Sequence, residues 1–219
     1  MLIGIDIRRG GDFGIGTYIR NLILALSRVG PNEQYVLIGQ PGHFEDLGDL
    51  PANFSSHVYP RRYDAWQSHL GLRAVIRQLG LDVFHMPHSW IPYLLPSPYV
   101  VTLHDLNSIL FPRSTSNWLK ALDRHILIHG LRNAARVMAV SQATKRDAIR
   151  RLGLPTEQFE VIPDAVDSRV AQPVGDEERE RILARYQISD PFVLYAGRIQ
   201  VHKNLPRLIE AFAVVKSEL

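Results

Sequence analysis

Two histidines three residues apart, in His85-Met86-Pro87-His88, and a His104-Asp105 pair each follow a short apolar run of strand character. Imidazole titrates near neutrality, so histidines at strand ends are candidates for proton transfer or for hydrogen bonding to a substrate. A metal role for His85 and His88 needs further ligands, and none stands at a recognisable spacing; a hydrogen-bonded structural pair is the simpler reading. A third group is the run Gly10-Gly11-Asp12-Phe13-Gly14-Ile15-Gly16-Thr17, ahead of a helical pattern. Glycine lets backbone approach a ligand closely, and a helix N-terminus turns N–H groups and positive dipole toward an anion such as diphosphate. The same residues also make an ordinary tight turn. The fourth group is Ala196-Gly197-Arg198 through Lys203-Asn204, where a guanidinium fork and an ammonium precede a helix. That pairing suits a diphosphate, or equally a solvated basic loop.

For these groups to meet, their strands must share one sheet edge. Residues 2–7 are a short apolar run ended by glycines, and Tyr18, Ile19, Leu22, Ile23, Leu26 and Val29 recur at helical spacing from Thr17 until Gly30-Pro31. The spacing then predicts strands over 35–38 and 57–59, a helix over 66–79 closed by Gly80, and a strand over 82–85. Further strands follow at 99–103, 136–140 and 159–162, with helices at 117–133 and from the Ser141 N-cap to near Gly153. Strands alternating with helices imply a mostly parallel sheet covered on both faces, so 1–166 reads as a doubly wound, Rossmann-like α/β domain. Residues 167–219 read as a hinge near 166–173, a charged helix at 176–186, an apolar strand at 192–196 and a helix at 205–216. One βα unit cannot bury both its faces, so this is expected to be the truncated start of a second Rossmann-like domain, and the chain a fragment.

The 219 residues are 46% hydrophobic and 21% charged, which excludes a disordered tail or a fibre. A net charge of +3 does not by itself imply nucleic-acid binding, and the absence of cysteine excludes disulfides and thiolate-bound metal. No apolar run reaches the ~20 residues of a membrane span, and a basic signal-peptide n-region is missing at the start, so the chain reads as cytoplasmic. Gly14-x-Gly16 is followed by Ile19 where a dinucleotide fingerprint has its third glycine, and no GK[ST] phosphate loop occurs.

Taken in order, Gly14-Ile15-Gly16-Thr17-Tyr18, His85-Met86-Pro87-His88, Thr102-Leu103-His104-Asp105, Ala139-Val140-Ser141-Gln142-Ala143-Thr144, Val161-Ile162-Pro163-Asp164-Ala165-Val166-Asp167 and Tyr195-Ala196-Gly197-Arg198 through Lys203-Asn204-Leu205 resemble the retaining glycosyltransferases of family four. These blocks span nearly the whole chain. The resemblance implies a GT-B fold, with an N-terminal acceptor-binding domain and the start of a C-terminal domain for a nucleotide-sugar. It implies that His104 is catalytic beside the transferred sugar, and that Gly14, Gly16, Arg198 and Lys203 meet the donor diphosphate. His85, His88, Asp105 and Ser141 are its acceptor- or sugar-binding candidates. The mechanism it implies needs no metal or other cofactor, which agrees with the lack of any Asp-x-Asp, and uses front-face attack assisted by the leaving phosphate, with no protein nucleophile. Two departures stand out. Ala165 replaces the glycine of the usual Pro-Asn-Gly-Val-Asp, and the family's Glu-x7-Glu element belongs further downstream; Glu210 and Glu218 share its spacing but sit on the helix after the basic loop and are assigned no site.

The expected function is transfer of a sugar, with mannose preferred, from a nucleotide-sugar to a glycan or lipid-linked acceptor in envelope polysaccharide synthesis, the truncated chain itself being inactive. The alternatives are a non-catalytic glycan- or nucleotide-binding module, a split-enzyme subunit, and a phosphorylase- or epimerase-like relative. Trp66, Leu70, Leu72, Val75, Ile76 and Leu79 beside Arg61, Arg62, Arg73 and Arg77, and Trp118, Leu119 and Leu122 beside Lys120 and Arg124, are the candidates for a peripheral membrane contact; amphipathic helices packed on the sheet are the simpler reading of the same pattern.

Overall fold

The computed structural model describes residues 1–65, 67–96, 98–110, 116–166, 170, 172–189 and 192–218. Trp66 and Asp167, and half of the expected hinge, lie outside them. The chain divides into two units, Met1–Ala165 and Val166–Leu219.

The first unit holds seven strands: β1 (Leu2–Asp6), β2 (Gln34–Gly39), β3 (Phe54–Val58), β4 (Val83–Met86), β5 (Tyr99–Leu103), β6 (Arg136–Ala139) and β7 (Phe159–Val161). All pair in parallel, in the order β3-β2-β1-β4-β5-β6-β7. Its helices are α1 (Phe13–Val29), α2 (Gly42–Glu45), α3 (Ser68–Leu79), α4 (Asn107–Leu110), α5 (Asn117–Asn133) and α6 (Gln142–Leu152). Tyr35 and Leu37 pack with Ile19 and Ile23 of α1, while Val36 and Ile38 pack with Leu72 and Ile76 of α3. Alternate residues of one strand are therefore buried on opposite faces, which is why β2 reads as continuous apolar sequence. The larger core continues through Phe84, Met86, Val101 and Leu103 to Leu127 and Leu131 of α5 and Leu152 of α6; each such side chain contributes roughly 1.5–3 kcal/mol by its burial. This is the doubly wound α/β architecture that the alternation of elements implied.

Helix ends follow local chemistry. Gly80 and Gly153 close α3 and α6 in the left-handed region, at φ 63° in both cases, where a Cβ would be strained. Ser141 caps α6 as expected, its Oγ accepting from the Thr144 N–H at 3.0 Å.

One boundary differs from the sequence reading. The helix expected from Thr17 begins at Phe13, so Gly14 and Gly16 form its first turn instead of a free loop. Asp12, extended at φ −77° and ψ 150°, is the N-cap residue, and the Gly16 N–H donates to its carbonyl. Gly16 is buried against the Gly10 carbonyl, which a Cβ would overlap, whereas Gly14 faces open space. The glycines that look like a loop are what let α1 start close to the β1 end.

The second unit contains α7 (Asp176–Tyr186), a single 3₁₀ turn (Val201–Lys203) and α8 (Leu205–Glu218). In α7 three carboxylates open the first turn and Arg185 stands in the last, matching the helix dipole. The apolar run expected as a strand, 192–196, has no ladder partner among the described residues, and Val193 and Leu194 are 66% and 75% exposed. A strand exists only through a neighbour's hydrogen bonds, and the described residues of this unit supply no second strand.

Gly16→Ala is expected to destabilise the first unit by about 1–3 kcal/mol through overpacking, while Gly14→Ala leaves it nearly unchanged; urea unfolding of the two variants checks the contrast.

Candidate functional site

The chain winds outward from β1 to β2 and β3, then returns to β4 on the other side of β1. In an open parallel sheet the crevice outside the carboxyl ends of strands at such a reversal is where ligands bind. Asp6 ends β1, His85 and Met86 end β4 and continue to Pro87-His88, and Leu103 ends β5 just before His104. Both histidine motifs therefore reach one edge of the sheet, next to the reversal.

Below this edge lies a buried ion pair. Arg8 grips the Asp6 carboxylate with Nε at 2.9 Å and Nη2 at 2.6 Å, and both side chains are fully buried. The remaining guanidinium donors reach Ser68 Oγ at 2.9 Å and the Arg62 carbonyl at 3.5 Å, while the backbone N–H of Arg8 also donates to Asp6. Burial alone would raise the Asp6 pKa, but the Arg8 charge and its hydrogen bonds, aided by His88, hold it well below the ordinary carboxylate range. A pair this deep is stabilising only because nearly every donor and acceptor is used; losing one partner would strand the other charge at a cost of about 3–5 kcal/mol.

His88 lies against this pair. Its Nδ1 accepts from the Trp90 N–H at 3.2 Å, so the neutral ring carries its proton on Nε2, which sits 3.6 Å from Asp6 Oδ2 and has no hydrogen-bond partner. Burial pushes the His88 pKa down and the Asp6 carboxylate opposes the shift. His85 is buried too, its Nε2 2.8 Å from Thr102 Oγ1, which is in turn 3.0 Å from the Tyr18 hydroxyl. Thr102 has one proton, so at least one of its two neighbours donates to it. Burial, and then the charges of His88 and His104, lower the His85 pKa to about 3, so the ring is neutral at physiological pH. Expected as acceptor contacts, both histidines are instead walled in, because the apolar strands that deliver them pack on both faces; they brace the edge from beneath.

His104 is different. It is half-buried, its ring set edge-on to Tyr18 with centroids 4.7 Å apart, and its Nε2 donates to the Pro87 carbonyl at 3.1 Å. A carbonyl only accepts, so a proton is on Nε2, and in the neutral ring Nδ1 keeps a lone pair. The Thr144 hydroxyl donates to the His104 carbonyl at 3.2 Å and shares a 3.0 Å contact with Ser141 Oγ. Ser141 thus caps α6 and steadies His104 through Thr144. Asp105 accepts from the Asn107 N–H at 2.9 Å and from Asn107 Nδ2 at 2.8 Å, which opens α4. It is exposed, whereas His104 is the motif residue whose ring stands at the edge with a nitrogen uncommitted among the described residues.

Gly14 and Gly16 bring the α1 N-terminus to the end of β1, beside an open cavity of about 260 Å³ whose lining includes Gly10, Asp12, Gly16, Thr17, Arg20 and His43. The Asp12 side chain pairs with Arg9 at 2.6 Å and does not cap the helix, so the Gly14 and Ile15 amides keep their capacity for an anion. Arg198 and Lys203 belong to the second unit, the first ahead of its 3₁₀ turn and the second the last residue of that turn; the Arg198 carbonyl accepts from the Tyr195 hydroxyl, and left-handed Asn204 at φ 50° separates Lys203 from α8. Among the described residues no group of three or more His, Asp or Glu could hold a metal ion. The sequence reading passed over Asp6, Arg8, Tyr18 and Thr102. Asp6 left one signal, a carboxylate closing an apolar strand next to an arginine; Tyr18 looked like another apolar helix position.

A seven-stranded parallel sheet, helices on both faces and polar side chains gathered at its switch-point edge define a Rossmann-like domain. Residues 14–170 match Glycosyltransferase Family 4, and the chain belongs to that family. Among solved structures it resembles Anabaena HepE in complex with UDP-glucose, with TM-score 0.66, 18% identity, and coverage of 97% of this chain and 57% of that one. It also resembles a glycosyltransferase from Rickettsia africae, with TM-score 0.56, 14% identity, and coverage of 87% and 50%. The chain thus spans little more than half the length of these structures. No curated protein sequence matches it significantly. Among the described residues no helix is long and apolar enough to cross a membrane.

The buried His85 makes stability pH-dependent in a known direction. Its folded pKa is about 3 against 6.5 for a free imidazole, so the unfolded chain takes up a proton first as pH falls. The contribution is complete above pH 6.5 and is lost between there and about 3. The melting temperature is expected to drop between pH 7 and 4.5, and His85→Gln, which does not titrate, is expected to flatten that slope. Identical slopes would remove His85 as the source.

Proposed function

We propose that this chain is the acceptor-side part of a retaining, metal-independent glycosyltransferase that moves a sugar from a nucleotide-sugar to a glycan or lipid-linked acceptor. The observation that carries this reading is His104, held by Pro87, Tyr18 and Thr144 at the switch-point edge with Nδ1 left for a substrate. Family membership supplies the reaction class, and the similar HepE structure, which holds UDP-glucose, supports a nucleotide-sugar as donor.

In this mechanism His104 lies beside the transferred sugar and steadies it by accepting a hydrogen bond from a sugar hydroxyl at Nδ1. The leaving diphosphate gathers charge as the bond to the sugar breaks. The Gly14 amide in the α1 first turn offers it partial positive charge, Gly16 lets that turn sit close against Gly10, and Arg198 and Lys203 are the cations assigned to it. The acceptor hydroxyl attacks from the face the diphosphate leaves, and its proton passes to a phosphate oxygen, so no protein nucleophile is required. His85, Thr102 and Tyr18 keep the edge in place. Mannose as the sugar and envelope polysaccharide or glycolipid as the product remain part of the proposal, as does a cytoplasmic, peripheral setting in which Trp118 and Leu122, exposed on α5 beside Lys120 and Arg124, meet the membrane surface.

The test is nucleoside diphosphate release by the gene-length protein, assayed over a panel of UDP- and GDP-sugars with cell-envelope extract as acceptor. His104→Ala is expected to lower turnover at least about a hundredfold while the circular dichroism spectrum and melting temperature stay those of the parent. Near-normal turnover refutes the assignment of His104, and consumption of inorganic phosphate in place of diphosphate release refutes the reaction class.

A further inference from the structure

Beside His104 the first unit carries a band of aromatic rings that the reaction itself does not use. Tyr63 lies 5.7 Å from the His88 ring and 6.2 Å, edge-on, from Trp90; His69 of α3 lies 5.2 Å on from Trp90. The His69 Nδ1 accepts the Tyr93 N–H at 2.8 Å, and the Tyr93 ring stacks on His129 of α5 at 4.0 Å. Rings from the 59–67 loop, the 87–98 loop, α3 and α5 therefore form one continuous strip, beginning at the histidine loop whose Pro87 carbonyl holds His104.

Each ring is braced and still accessible. The Arg9 guanidinium sits 4.7 Å over Tyr63, His129 backs Tyr93, and His69 backs Trp90. Tyr63 and Trp90 are only half-buried, and Tyr93 is exposed. Neither the Trp90 indole N–H nor the Tyr93 hydroxyl has a hydrogen-bond partner among the described residues, while the Trp90 N–H donates to His88, the Tyr93 N–H donates to His69, and the Tyr93 carbonyl accepts from His129 Nε2 at 3.1 Å. Fixed flat faces with unspent donors at their rims are poor material for a core and good material for a ligand with an apolar face and a hydroxylated edge. A pyranose ring has that shape: its axial C–H groups lie on an aromatic face, and its hydroxyls reach outward.

We infer that Tyr63, Trp90 and Tyr93 form the acceptor subsite and that the acceptor is a saccharide of at least two rings, read by stacking along this strip away from His104. The inference rests on the proposed transferase reading for its direction, because the strip starts where the reacting sugar is placed. It narrows the acceptor to the glycan itself: a lipid-linked acceptor would be held by its sugars and not by its chain.

Binding is read without turnover, which separates this inference from the assignment of His104. The 219-residue chain is titrated with soluble glucose-, galactose-, mannose- and N-acetylglucosamine-containing disaccharides and their monosaccharides, following tryptophan fluorescence and calorimetric heat. Saturable binding is expected for at least one disaccharide, tighter than for its monosaccharides. Trp90→Ala and Tyr93→Leu are each expected to weaken it at least tenfold, whereas Trp90→Phe, which keeps a flat face, loses less, and Trp118→Ala leaves it unchanged. A fold defect in Trp90→Ala leaves Tyr93→Leu, which preserves apolar bulk at an exposed position, as the deciding variant. No binding across the panel, or binding indifferent to both substitutions, overturns the inference, and so does a response of the strip to anionic phosphatidylglycerol vesicles in place of saccharide. If His104→Ala keeps full transfer activity while the strip still binds disaccharide, the reaction reading fails and the subsite stands.

Discussion

The Asp6–Arg8 ion pair is the constraint on which the site depends. Two full charges lie in the interior at the end of β1, and such burial is tolerable only where geometry is tight and the remaining donors are satisfied. Arg8 meets that condition by reaching the loop before α3 and the start of α3 through Arg62 and Ser68. The pair thereby ties β1 to the segment that carries Tyr63. On its other side Asp6 faces His88, whose ring orders the 87–90 turn through the Trp90 N–H. Pro87 in that turn presents the carbonyl that fixes the His104 ring. A chain of contacts thus runs from a buried charge to the nitrogen assigned to the substrate.

The electrostatic logic is consistent along that chain. Asp6 stays ionised because Arg8 is there, and His85 and His88 stay neutral because burial outweighs the attraction of one shared carboxylate. A neutral His85 can hydrogen-bond Thr102 without putting positive charge beside His104. The one imidazole of the three that is not fully buried is the one at the edge. Burial has sorted three histidines of similar sequence context into two enclosed rings and one that stands at the edge.

Much of the fold was legible because each strand is short and apolar and each helix carries its own stop signal. The limits of Tyr99–Leu103, Asn117–Asn133 and Asp176–Tyr186 could be read from periodicity and from flanking polar or proline residues. The start of α1 could not, because glycines in a first turn look like a loop until Gly10 is seen pressed on Gly16. Nor could the absence of a strand at 192–196, since pattern reports a segment's own preference and not whether a neighbour exists to pair with it. Within the site, the histidine and glycine motifs announced themselves. Arg8 did not: its partners Arg62 and Ser68 are more than fifty residues away and become neighbours only when β1 and α3 pack. The aromatic strip was hidden for the same reason, its rings coming from four separate segments.

The account stands on His104 being held with its proton on Nε2 and its Nδ1 lone pair kept for the substrate. Nitrogen-15 NMR of the imidazole rings at pH 7.5, with His104 assigned by the loss of its signals in a substituted variant, measures this directly. The account predicts a protonated Nε2 and an unprotonated Nδ1 for His104. The opposite tautomer, or rapid exchange between the two, would mean that the Pro87 carbonyl does not hold the ring and that the edge is not built in advance for its substrate.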